Sequence, residues 1–197
     1  MRTTTGVAGA TMLAVLLCTG GTRAQTPTSW SVQDAPPDVR AAAASAMKAF
    51  DAVQATLSAR LMEEMKAGGP PRAVTVCRDE AQALTKKIAS ESGMALGRTS
   101  DRLRNPLNAP PDWARPFVRK AAGQKAAGID AVVVDLGNRV GVLRPIGTIS
   151  ACTTCHGAKD KQPEALQRLL AQHYPQDKAV GFAEGDLRGY FWAEVKR

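Results

Sequence analysis

The sequence predicts an α+β domain in which helices flank an antiparallel sheet. Through the first half of the chain, apolar residues recur at intervals of three and four, the period of a helix with one buried face. The second half carries short β-branched runs, above all Val132-Val133-Val134, separated by turn residues. Helices and strands that segregate along a chain favour an antiparallel sheet over a series of βαβ units.

The 197 residues, 44% of them hydrophobic, fit one domain with a sizeable core. The formal net charge of +8 is scattered rather than clustered, so it reads as a solvated surface. No nucleic-acid motif and no internal repeat is visible.

Residues 1–24 have the three parts of a secretory signal. Arg2 is the positive start, residues 7–17 form a short apolar run, and Thr22-Arg23-Ala24 is a small-residue cleavage site. The run is too short for a permanent anchor. Lipid attachment at Cys18 is disfavoured by Leu17, which stands where a small residue is usual. The expectation is cleavage after Ala24 and export to the periplasm as a soluble protein without an integral membrane anchor.

Residues 25–37 are polar and rich in proline and read as a flexible leader before a domain spanning 38–197. Asp38 is placed to cap a helix over 39–66, whose stripe is Ala46, Phe50, Val53, Leu57, Leu61 and Met65. Gly68-Gly69-Pro70-Pro71 breaks it. A second helix over 72–92 carries Val74, Cys77, Ala81, Leu84 and Ile88 on its buried face and stops at Gly93. Residues 94–99 read as a short strand. An arginine- and asparagine-rich loop follows, with Arg98, Arg102 and Arg104 as forked donors suited to carboxylates. Asp112 is expected to cap a helix over 113–124. Residues 129–136 and 139–146 form a hairpin about Gly137-Asn138. A helix over 162–174 and a strand over 190–195 complete the pattern.

Between hairpin and last helix stands Cys152-Thr153-Thr154-Cys155-His156-Gly157, the attachment pattern for covalent haem c. One turn of backbone presents two sulfurs to the porphyrin edge, and the next residue brings its imidazole over the iron. Gly157 is expected to let the chain leave a crowded edge through a positive φ. A disulfide, half a zinc site or a thioredoxin-like pair are weaker readings. No βαβ unit precedes the motif, and only Cys77 and His173 remain as distant further ligands. The motif occurs once, so one haem per chain is expected, held by Cys152 and Cys155 with His156 on the iron.

Cys77 then has no disulfide partner. Spacing alone leaves it either a buried small hydrophobe or a second iron ligand. Met47, Met62, Met65, Met94 and His173 are the other candidates for that position, the methionines fitting helix faces and His173 a helix end.

Val76-Cys77, Arg98-Thr99-Ser100 with Leu103-Arg104-Asn105-Pro106 and Asn108, Pro145-Ile146 before the haem motif, and Tyr174-Pro175 with Gly185-Asp186-Leu187-Arg188-Gly189 occur in a fixed order. In these blocks the chain resembles the Tll-type haem c domain family, PAS-like domains first catalogued as a domain of unknown function. The resemblance implies a PAS-like antiparallel sheet with flanking helices around one haem c. It also implies histidine and cysteine as the iron ligands, which are His156 and Cys77 here.

With both axial positions filled by protein, the expectation is not an enzyme but a redox or gas sensor, with a small gas as possible ligand. A low-potential electron carrier is the alternative. Either needs a redox or signalling protein partner that the sequence does not identify.

Overall fold

The computed structural model describes residues 27–197. The expected signal segment lies outside the described residues. Five strands, β1 (Ser29–Ser31), β2 (Ala95–Thr99), β3 (Val132–Asp135), β4 (Arg139–Gly147) and β5 (Leu187–Lys196), form one sheet in the order β1-β3-β4-β5-β2. Every pairing is antiparallel. The α+β expectation is met.

The helical half begins with α1 (Pro37–Thr75), interrupted at Gly68 and Gly69. Gly69 has φ 69°, a left-handed conformation that glycine adopts without the Cβ clash of other residues. A π-helical turn, Val76–Glu80, then leads into α2 (Ala81–Ser92), which ends at Gly93 as expected. Small residues let α1 lie close on the sheet. Val39, Ala42, Ala43, Ala46, Phe50 and Val53 pack against Val133, Val140, Val142, Phe191 and Ala193. Burying a side chain such as Phe50 contributes about 1.5–3 kcal/mol.

The other face of the sheet carries Leu143, Leu187 and Tyr190, covered by Ala114 and Val118 around the short α3 (Arg115–Lys120). A third, smaller cluster joins Val74, beyond the Gly68-Gly69 break, to Leu166, Leu170 and Tyr174 of α5 (Glu164–His173) and its C-cap. Cys155 packs against this cluster, so α5 ties the far arm of α1 to the haem motif.

Three local expectations are corrected. The segment read as a flexible leader supplies the edge strand β1, pairing Trp30 with Val133. Asp38 lies in the first turn of α1 and does not cap it, because Pro37 opens the helix and Pro36 takes the cap position. The helix expected over 113–124 keeps only Arg115–Lys120, with Ala114 rather than Asp112 at its N-cap. The chain there turns at Gly123, whose φ is 76°.

Near the break, Arg60 ion-pairs with Glu64 at 2.7 Å, and Arg72 holds the other Glu64 oxygen at 2.6 Å. The Glu64 carboxyl lies below its usual 4.5, first through Arg72 and then through Arg60. The unfolded chain protonates this group at higher pH than the folded one. Its stabilisation is thus complete above the usual carboxylate range and lost as pH falls through the folded value. Glu64→Gln is expected to lower the melting temperature at neutral pH, with the difference closing below about pH 4. Thermal melts across pH check this, and an equal deficit at both ends would contradict it.

Candidate haem site

Ser150–Cys152 form a 3₁₀ turn and Thr153–His156 one α-helical turn, α4. This places the two cysteines and the histidine on consecutive turns. Both sides of the motif are pinned. Upstream, Thr148 N donates to Asp186 O and Gly185 N to Thr148 O, each at 2.8 Å. Downstream, Phe182 N donates to His156 O at 2.9 Å and Gly181 N to Gly157 O at 2.8 Å. Gly157 is needed for a different reason from the one expected. Its φ is −72°, but a Cβ there would sit 2.4 Å from Thr153 O.

His156 Nδ1 lies 2.8 Å from Ala179 O. A carbonyl only accepts, so Nδ1 carries the proton and Nε2 presents its lone pair. This is the arrangement by which a ligating histidine is oriented from behind. Burial first, then Arg188 and Arg104, push the imidazole well below its usual value and keep it neutral. The Phe182 ring meets it edge-on, with centroids 6.3 Å apart.

Arg104 builds the wall behind this histidine. It pairs with Asp177 at 2.9 Å, the two side chains 8% and 11% exposed. Its Nη2 donates to Cys155 O at 2.6 Å and to Ala179 O at 3.2 Å. Arg102 donates to Val180 O at 2.8 Å and stacks 3.6 Å above Phe182. Both thus have protein partners that order the 179–182 segment.

Arg98, on β2, differs. Among the described residues neither it nor Arg188, on β5, makes a side-chain hydrogen bond or ion pair. Burial lowers both, Arg188 to about 10 with Arg104 and Arg98 adding to the effect. Two desolvated guanidiniums in mutual reach are unfavourable unless an anion joins them. Sequence reasoning missed Arg188 as a site residue, because its burial and its electrostatic coupling to Arg104 and Arg98 arise only in the folded chain.

Cys77 lies in the π turn, half-buried and without a disulfide partner among the described residues, as are Cys152 and Cys155. Its sulfur lies within electrostatic reach of Arg98, Cys155 and Tyr174. The Tyr174 hydroxyl is buried without a hydrogen-bond partner among the described residues, and burial first, then Cys77, pushes it up to about 12. Four of the other five candidates for this position are engaged elsewhere or exposed. Met47 and Met94 pack on the main core, and Met62 is 48% exposed. The His173 ring accepts from Arg78 at 2.9 Å.

These residues fit a covalently held haem. Cys152 and Cys155 would hold its edge, His156 Nε2 and the Cys77 sulfur suit its iron, and the unpaired Arg98 and Arg188 suit its carboxylates. The orphaned Tyr174 hydroxyl is a spare donor at the same place. Fold and site thus define a class, an α+β domain assembled around a Cys-x-x-Cys-His motif. The profile of the Tll0287-like family (Tll0287) matches residues 32–195, and the chain belongs to this family. The crystal structure of the cyanobacterial heme protein Tll0287 resembles the chain with a TM-score of 0.58 at 21% identity, covering 83% of this chain and 98% of that one. That likeness establishes a shared fold. Comparison with curated proteins returns no match.

Proposed function

We propose that the protein is an exported, single-haem c-type cytochrome, ligated by His156 and Cys77, that acts as a redox or gas sensor rather than an enzyme. The heme protein among its structural relatives supports haem binding. The observation that carries the reading is the His156 Nδ1 contact with Ala179 O, which leaves the Nε2 lone pair available to a metal. Bound haem supplies a one-electron iron couple and, when an axial position opens, a site for a diatomic gas. Arg98 and Arg188 hold the haem carboxylates, and the expected signal segment supports a periplasmic location, where thioether attachment takes place. The described residues include no helix long and apolar enough to cross a membrane.

Cys77 is the element that responds. An anionic sulfur favours Fe(III) over Fe(II), so reduction weakens its hold. It sits on a π turn, a geometry frequent at functional sites, between breaks at Gly68-Gly69 and Gly93. A purely electron-transferring protein gains nothing from ligand release, whereas a sensor requires it. Stopped-flow mixing of reduced protein with carbon monoxide tests this. Wild type is expected to bind it at a rate limited by Cys77 departure, and Cys77→Ala to bind faster. If reduced wild type excludes carbon monoxide across neutral pH, the electron-carrier reading replaces the sensor.

A further inference from the structure

An ion-pair cluster links both sides of the Cys77 turn to the body of α1. Arg60 grips Glu80 with two bonds, Nε to Oε2 at 2.7 Å and Nη2 to Oε1 at 3.0 Å. Its Nη1 reaches Glu64 at 2.7 Å and Glu63 at 2.9 Å. Glu64, only 6% exposed, also binds Arg72 at 2.6 Å. Arg60 and Glu64 precede the Gly68-Gly69 break, while Arg72 and Glu80 follow it and bracket Cys77 in sequence. A buried carboxylate between two arginines, joined to a bidentate arginine–carboxylate pair, fixes geometry far better than isolated surface pairs do.

What this cluster fixes is the π turn, since Glu80 is its last residue. A π turn holds one residue more than an α turn. Relaxing it to α geometry would rotate one side of the helix against the other by about 100°. The Cys77 sulfur cannot keep its direction through such a change while Glu80 stays on Arg60.

We propose that Arg60 is a positioning residue for the axial sulfur, holding the π turn through Glu80 and the Glu64–Arg72 pair so that Cys77 faces the haem motif. The inference rests on Cys77 ligation as proposed above. It deepens that reading, because the strength of the cluster then sets how readily Cys77 leaves and returns.

The test uses full-length, haem-loaded wild type, Arg60→Met, Arg60→Lys and Glu80→Gln. Arg115→Met serves as control, since it removes only the exposed pair with Asp112. Covalent haem content, the ferric spectrum and carbon monoxide association after reduction are measured. Haem content is expected to be equal in all five. Arg60→Met and Glu80→Gln are expected to lose part of the low-spin thiolate signature and to take up carbon monoxide about tenfold faster, with Arg60→Lys between them and wild type. The control should match wild type. Wild-type spectra and rates in both Arg60→Met and Glu80→Gln would overturn the positioning role. A wild type without any thiolate signature would instead overturn Cys77 ligation itself, so the two failures are distinct. Glu80→Gln keeps side-chain shape and so gives an answer even where Arg60→Met does not fold.

Discussion

Replacing Cys77 by methionine is expected to raise the reduction potential of the haem-loaded protein by on the order of 100 mV, within the roughly 0.8 V that axial ligands span, each tenfold change in relative affinity being worth about 59 mV for one electron. The sign follows from charge. A thiolate neutralises part of the ferric charge and stabilises that state, while a thioether is neutral and favours the ferrous state. The size depends on the surroundings of Cys77. The desolvated Arg98 guanidinium interacts electrostatically with the Cys77 sulfur. Spectroelectrochemical titration of wild type and Cys77→Met reads the shift. An unchanged or lowered potential would remove Cys77 from the iron.

Arg104→Met is expected to produce the largest loss of stability, about 3–5 kcal/mol, because it leaves Asp177 charged, buried and unpaired. Their side chains are 8% and 11% exposed, so water cannot take over the role of the guanidinium. The substitution also frees the carbonyls of Cys155 and Ala179, and the latter orients the His156 ring. The same variant should therefore broaden the haem spectrum before it unfolds. Arg104→Met with Asp177→Leu removes the stranded charge as well, and is expected to recover part of the stability but not the ordered His156. Denaturant unfolding followed at the haem band and in the far ultraviolet separates the two effects. Equal loss in the single and double variants would contradict the stranded-charge explanation.

The features legible in the sequence were those fixed by local chemistry. Gly69 and Gly93 interrupt helices with left-handed backbone conformations, φ 69° and 66°, and Gly137, φ 81°, turns the β3–β4 hairpin in the same way. The haem motif is legible because its spacing is the chemistry. What was not legible depends on partners distant in sequence. Three residues of β1 become a strand only because Val132–Val134 offer an edge. The π turn at Cys77 differs from an α turn by one residue, and the Arg60–Glu80 pair spans the helix break, so no periodicity marks it. Arg98, Arg102 and Arg104 look alike in one loop. Their differing environments, protein carbonyls and Asp177 for two of them and, among the described residues, no hydrogen-bond partner for the Arg98 side chain, arise from the 177–180 segment. Arg188 stands out only in the folded chain, where it is buried near the charges of Arg104 and Arg98.

The central claim is one covalent haem with its iron between His156 and Cys77, and ferric electron paramagnetic resonance of the purified protein beside Cys77→Ser tests it most directly. The expected wild-type spectrum is a single low-spin species with the narrow anisotropy of thiolate ligation, replaced in Cys77→Ser by a high-spin or differently ligated form. A wild-type spectrum that survives the Cys77→Ser substitution unchanged, or haem that is extracted by acid and acetone, would contradict the account.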